Sequence, residues 1–251
     1  MPQHIWTTVI RPAQGTVVGR VVVLAHSGAG PNALLPTVCW LPDDVEAVGV
    51  TLPGRERRFA EDAGQILDDP EGAVAAVAGE LRTLPALPTA LFGHSMGAAF
   101  AVALALAAPD LCQAIVLSAH PNGGSRAELA GEWSEADLMD ILERGGGTPP
   151  EVLQDEYLQA HLLTVLRCDL TLGHRLATHH AHRTLPVPLT VLGGRDDALT
   201  ETAELTRWQR RAGAGLRERV FPGGHFYLLD EPNQKDVADE IAGALQGVTT
   251  G

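Results

Sequence analysis

No stretch of this chain approaches the roughly 20 consecutive apolar residues that a membrane-spanning helix requires. Met1 to Gln14 also lacks the basic-then-apolar order of a secretion signal. Together these absences predict a cytoplasmic protein with no membrane partner. Cysteine is scarce: Cys39, Cys112 and Cys168 form an odd set without metal-ligand spacing, which argues against a disulfide framework and predicts reduced packing residues. Basic residues are also few, with 18 Lys and Arg against 31 Asp and Glu, and the formal net charge of −13 disfavours nucleic acid and anionic membranes. Repeats and low-complexity segments are missing, apart from a Gly-rich tail after Leu245 that is expected to be mobile. With 251 residues and 45% apolar content, the chain can fill one domain, residues 1–251.

Against this background, Gly93-His94-Ser95-Met96-Gly97 stands out, because it joins a short apolar run, Ala90 to Phe92, to a helical run that ends before Pro109. A serine on such a sharp strand-to-helix turn has its hydroxyl forced outward, and the flanking glycines let strand and helix pass closely. The composition, 27 Gly and 5 Ser, gives a chance expectation of roughly 0.06 such G-x-S-x-G matches, so the run reads as a nucleophile elbow.

A serine hydroxyl needs a base, and in this chemistry the order along the chain is Ser, acid, His. After the strand-like Leu189 to Leu192 comes Gly193-Gly194-Arg195-Asp196-Asp197, a turn that places carboxylates at a strand end. His225 follows in the Gly-rich loop Phe221-Pro222-Gly223-Gly224-His225-Phe226, after the apolar strand Arg219 to Phe221. The interval fits a helix at about Glu201 to Ala212 plus that strand. His225 is the expected base. Asp197 is preferred to Asp196 as its partner, since neighbours on a turn point apart and only one can reach the imidazole. The other acid is expected to cap the following helix. For the oxyanion, the Met96 N–H is one expected donor; the Ser27 N–H, in His26-Ser27-Gly28-Ala29-Gly30 after the buried strand Val21 to Ala25, is the other. The Ser27 hydroxyl is not a second nucleophile, because no elbow helix follows it.

The element order points to an α/β fold with a mostly parallel, doubly wound sheet. Val45 to Thr51 and Ala114 to Ser118 read as strands, and Pro70 to Leu84 reads as a helix. Between about residues 121 and 185 the pattern changes to two helical stretches, Trp133 to Leu142 and Glu151 to Leu172, separated by Arg144-Gly145-Gly146-Gly147-Thr148-Pro149-Pro150. This predicts an inserted helical lid. Ser134 with Asp137 three residues on marks a helix start, and Leu138, Ile141 and Leu142 share a face suited to roofing a pocket.

His26-Ser27-Gly28-Ala29-Gly30, Leu52-Pro53-Gly54-Arg55-Glu56-Arg57-Arg58, the elbow, Gly145-Gly146-Gly147-Thr148-Pro149 and Gly223-Gly224-His225-Phe226 together resemble the discrete type II thioesterases of polyketide and nonribosomal peptide synthesis. The resemblance runs over roughly Leu24 to Leu229. It implies the α/β-hydrolase fold, a triad of Ser95, Asp197 and His225, and oxyanion donors at Ser27 and Met96, with no cofactor. It also implies hydrolysis, in trans, of acyl groups on the phosphopantetheine arm of acyl or peptidyl carrier proteins, removing stalled or wrong units from a synthase. Two departures are visible: the family usually reads H-A-G-G where this chain has His26-Ser27-Gly28-Ala29, and Ala198 replaces an acid-turn proline.

Carrier proteins are themselves usually acidic, so the net charge alone predicts repulsion. Arg55, Arg57 and Arg58 form a local exception, placed by the preceding strand toward the active-site face. They are candidates for the carrier surface or the phosphopantetheine phosphate. The competing assignment pairs Arg55 internally with Glu56 or Glu61. His174, His179, His180 and His182 cluster near the end of the insertion. With no carboxylate or Cys at ligand spacing beside them, no metal is assigned, and they are expected to be partly exposed. His94 is expected to orient the elbow or the loop near His26. A carboxylesterase or an acyltransferase could use the same triad, and a non-catalytic binding module on the same scaffold is the reading from another class.

Overall fold

The computed structural model of the protein describes residues 5–122 and 133–246. Residues 123–132 of the expected insertion, and the tail from residue 247, lie outside the described residues. Among the described residues seven strands form one sheet: β1 (Thr7–Arg11), β2 (Gly19–Leu24), β3 (Val45–Val50), β4 (Thr89–His94), β5 (Ala114–Ser118), β6 (Leu189–Gly194) and β7 (Leu216–Phe221). Their order is β1-β3-β2-β4-β5-β6-β7, and every pairing is parallel except that of β1 with β3. From β2 the next strand is added on one side and the later strands on the other, so the winding changes sense between β2 and β4, where loops at the carboxyl ends of the strands leave a crevice.

The helices are α1 (Leu35–Val38), α2 (Pro70–Thr83), α3 (Met96–Ala107), α4 (Glu135–Gly145), α5 (Pro150–Gln154), α6 (Glu156–His179), α7 (Thr202–Leu205) and α8 (Glu231–Gln246). Alternation along β2 shows how the sheet divides the core. Val22 and Leu24 face a cluster that holds residues of α2 and α3, whereas Val21 and Val23 face one that holds residues of α1 and α8. Every residue of α3 is apolar and ten are buried, so the helix that follows the elbow serine is enclosed on nearly all sides.

Between β5 and β6, where an insertion is expected, the described residues form α4, α5 and α6. Ser134 and Asp137 form the reciprocal capping box anticipated for α4. Leu138 is fully buried in a small cluster with Leu163 and Leu166, while Ile141 and Leu142 face open cavities described below. The roofing face is therefore split: Leu138 holds the inserted helices to one another. The C-terminal half of α6 leaves that cluster and joins the main core through Leu172 and Leu176. At Gly173 it approaches α3 so closely that an added Cβ would stand 2.9 Å from Met96 Cγ.

Three elements differ from expectation. β1 lacked any strand assignment, and its exposed edge residues show why: alternation is weak in a strand buried mainly at Thr7. Its start is instead fixed by Glu80 of α2, whose carboxylate accepts from the Ile5, Trp6 and Thr7 amides at 2.7 to 3.1 Å. The helix expected over Glu201 to Ala212 is only the short α7 followed by a tight 3₁₀ segment, Thr206–Arg210. The third is Cys39, which is exposed and is not a packing residue, whereas Cys112 is buried and its thiol is pushed up to about 12 by burial.

Candidate active site

Ser95 occupies the turn between β4 and α3 with φ 54° and ψ −122°, a conformation that costs a non-glycine residue of order 1–3 kcal/mol. The surroundings hold it there, since its N–H donates to Ser118 O at 2.8 Å. The flanking glycines are required by space. A Cβ on Gly93 would lie 2.3 Å from Gly97 O, and one on Gly97 would lie 2.2 Å from Leu24 O. Met96 opens α3, so its N–H has no intrahelical acceptor and stands at the positive end of the helix.

The acid turn and the histidine loop meet at the ends of β6 and β7. His225 Nδ1 is 2.9 Å from Asp197 Oδ2, and both side chains are buried. Oδ1 of the same carboxylate accepts from the Leu199 and Thr200 amides at 2.8 and 3.0 Å, which fixes its rotation. Asp196 is exposed. The expectation that it caps the next helix does not hold: Glu201 occupies that cap without a side-chain bond, and Asp197 takes the free amides instead.

Beneath His225 lies a layer of neutral polar groups. His94 Nδ1 is 2.9 Å from Ser118 Oγ, which in turn is 2.7 Å from the Tyr227 hydroxyl. Burial, reinforced by the charges that His225 and His26 would carry, holds the His94 imidazole well below the ordinary histidine range. His26 packs edge-on to His94 and Phe226, and burial followed by the His225 and Arg55 charges lowers it to about 3. A ring that stays neutral cannot add a second positive charge beside His225. His94 thus joins Ser118 to the ring of His26, in the loop it was expected to orient.

Two cavities open onto this centre, and Ser95, His225, Ile141 and Leu199 line both. One, of about 340 Å³, has a mixed polar wall that includes His120, Asp137, Arg144 and His174. The other, of about 460 Å³, runs past Ser27 and Gly28 to Leu142, Leu162, Leu166 and the Gly145–Pro149 loop. A hollow of about 530 Å³ beside Arg20, Pro88 and Thr89 lies at the opposite ends of the strands and shares no residue with either.

A thioesterase-domain family model matches residues 20–245. The chain belongs to the thioesterase family. Among curated relatives, a probable cadicidin biosynthesis thioesterase of Streptomyces griseus is 33% identical over 248 residues, covering 96% of this chain and 66% of its own length. The gramicidin S biosynthesis protein GrsT of Aneurinibacillus migulanus is 26% identical, covering 84% and 83%. The chain thus spans just under two thirds of the first relative and most of the second. Among solved structures, the type II thioesterase BorB of the borrelidin biosynthetic cluster superposes with a TM-score of 0.76 at 29% identity, over 96% of this chain and 97% of that one. The fold is that of the α/β-hydrolases, and this thioesterase is a hydrolase.

The arginine loop of the thioesterase departs from expectation. Arg55 is buried, with its Nη1 and Nη2 2.6 and 2.7 Å from the Asp169 carboxylate of α6. It is internal, but its partner is neither Glu56 nor Glu61. Arg58 is buried too: it pairs with Glu61 at 2.6 Å, donates to Thr51 O and stacks on Trp6 at 4.2 Å. Neither guanidinium is free to meet a carrier. Arg57 alone of the three is exposed, with donors on Thr51 Oγ1 and Ile5 O. Sequence spacing had no means of finding Asp169, which is 114 residues from Arg55. The histidine cluster also needs correction. His180 is buried, and the fold brings Glu71 of α2 to 3.3 Å from its Nε2, with ligand-type atoms of Glu71, His179 and His180 within 4.8 Å of one another. A carboxylate therefore does join two of the histidines, from a helix far away in sequence.

Proposed function

We propose that the chain is an editing thioesterase that acts in trans on acyl groups carried by the phosphopantetheine arms of a polyketide or nonribosomal peptide synthase, in the cytoplasm, using Ser95, His225 and Asp197. The observation that carries this reading is the His225–Asp197 pair, whose carboxylate is locked by two amides at the mouth of cavities shared with Ser95. In the first step Ser95 Oγ attacks the thioester carbonyl and its proton passes to His225 Nε2. Asp197 stabilises the imidazolium through Nδ1–H. The Met96 and Ser27 amides face the developing oxyanion, and collapse expels the pantetheine thiolate, which takes the proton from His225. Water then repeats the attack and releases the free acid and Ser95.

The inserted helices act as the lid that separates this chemistry from solvent. Two cavities meeting at Ser95 suit a substrate with two arms: the acyl chain fits the more apolar lobe past Leu142 and Leu166, and the pantetheine arm the polar one. The names of the relatives, a biosynthesis thioesterase and a type II thioesterase of a biosynthetic cluster, support the carrier-bound substrate. Of the arginine loop, Arg57 is the carrier contact. The test is hydrolysis of acyl carrier proteins by wild type and Ser95→Ala, with a fluorophosphonate probe. Labelling at Ser95 and a loss of roughly 10⁶ in kcat for Ser95→Ala are expected. Faster turnover of oxygen esters, or acyl transfer to an added alcohol or amine, would assign the triad to a different reaction, and unaltered turnover in Ser95→Ala would remove the mechanism.

A further inference from the structure

The Arg55–Asp169 pair sits under the active site and touches the loop that follows β2. Asp169 Oδ2 accepts the Gly28 N–H at 2.7 Å as well as Arg55 Nη1 at 2.6 Å, and Oδ1 accepts Arg55 Nη2 at 2.7 Å. Arg55 Nη1 also reaches Ala29 O at 3.3 Å, and its Nε and Nη2 donate to Pro53 O at 3.2 and 3.1 Å. The two residues after Ser27 are therefore both gripped by the pair, Gly28 through its amide by the acid and Ala29 through its carbonyl by the base. Gly28 has φ +84°, so the chain turns sharply where it is gripped. A change in this anchor rotates the adjoining peptide planes, including the one that carries the Ser27 N–H.

Stability alone is a poor reason for such a pair. Two charges enclosed in a core forfeit hydration that their attraction barely returns, and apolar residues of similar volume are often as stable or more so. Charge balance suits the reaction. A carboxylate this near the oxyanion loop would oppose the developing negative charge, and the bidentate guanidinium cancels it while leaving its hydrogen-bonding geometry intact.

We propose that Asp169 and Arg55 form a positioning pair that sets the oxyanion donor at Ser27, so that a residue of the inserted helix α6 tunes the transition state without touching substrate. The proposal rests on the serine-hydrolase reading given above. Misplacing a reacting group by about 1 Å can cost about 100-fold, and losing an oxyanion donor outright costs about 10²–10³. Replacing the pair by apolar residues, Arg55→Met with Asp169→Leu, is therefore expected to lower kcat per folded molecule by about 10- to 100-fold, with KM within about twofold; thermal stability falls modestly, because the Gly28 N–H and Pro53 O lose their partners. The isosteric Asp169→Asn keeps an acceptor for Gly28 while losing the bidentate match, and should fall between the pair variant and wild type.

The deciding readout is a trifluoromethyl ketone analogue of the acyl thioester, whose adduct with serine presents an oxyanion. Its Ki should rise by the same factor as kcat/KM falls, in both variants. Covalent labelling of wild-type Ser95 by the same ketone, checked first, reports on the serine-hydrolase reading independently: without that adduct the reading itself fails. With the adduct present, a Ki that does not move, or a kcat loss that merely follows the unfolded fraction, overturns the positioning role.

Discussion

Asn in place of Asp197 is the substitution whose outcome the geometry dictates most tightly. The carboxylate uses its two oxygens differently: Oδ1 faces two amide donors, from Leu199 and Thr200, and Oδ2 faces His225 Nδ1. An asparagine amide has one acceptor oxygen and one donor nitrogen. Turning the nitrogen toward Leu199 and Thr200 would oppose donor to donor twice, so the oxygen must stay on that side and the amide N–H₂ must face His225. Nδ1 can then only accept. The ring is forced into the tautomer with its proton on Nε2, the nitrogen needed to take the Ser95 proton. A triad with the wrong tautomer loses about 10⁴ in kcat, or about 5 kcal/mol of transition-state stabilisation at about 1.4 kcal/mol per tenfold. The fold should be undisturbed, because the two amide bonds survive. Asp197→Asn and Asp196→Asn should be compared for steady-state hydrolysis of an acyl-pantetheine thioester and for urea denaturation. A loss below tenfold in folded Asp197→Asn, or a larger loss in Asp196→Asn, refutes the tautomer argument.

Three further outcomes follow from other parts of the site. His26 is held at about 3 against an ordinary 6.5, so as pH falls from about 7 toward 3 the unfolded chain binds a proton that the folded one refuses. Folding stability should therefore drop on acidification, and His26→Gln should remove about 2 kcal/mol of the loss between about pH 7.5 and 5, measured by denaturant titration at both values. Equal losses in the two proteins would show that His26 titrates normally. Gly97→Ala places a methyl group against two carbonyl oxygens, of Leu24 and Ala25, that cannot give way; a destabilisation of about 3 kcal/mol or more, or no folded protein, is expected by calorimetry. Arg57→Glu should reduce kcat/KM for a carrier-bound acyl group much more than for an acyl-cysteamine, with the wild-type preference shrinking as salt rises. Matching losses on both substrates would assign Arg57 to holding the loop.

The chemistry was more legible in the sequence than its anchorage. The elbow could be read because steric demand at Gly93 and Gly97 leaves few residue choices, and His225 and Asp197 because parallel strands deliver their ends to one edge. The turn implied that only one of Asp196 and Asp197 could reach the imidazole, and it is Asp197 that lies 2.9 Å from His225. Buried charge was not legible. Arg55 and Arg58 look like surface cations in a run of charged residues, and only the fold reveals that α6 and Trp6 enclose them. The His180–Glu71 contact escaped notice for the same reason, since Glu71 lies in α2 and His180 just past the end of α6, far apart in sequence. β1 was missed because an edge strand with little buried surface leaves no periodic signal.

One consequence of the way α6 is built concerns modularity. Its first half shares a private cluster with α4, but its second half contributes Leu172 and Leu176 to the main core, abuts Met96 at Gly173 and supplies Asp169 to the loop after β2. The roof over the serine is thus not a detachable cassette. Exchanging the whole insertion between related proteins would carry away Asp169 and the packing of α6 against Met96, whereas a graft confined to α4, the Gly145–Pro149 loop and α5 would change the walls of the larger cavity and leave the helix beneath them in its native frame.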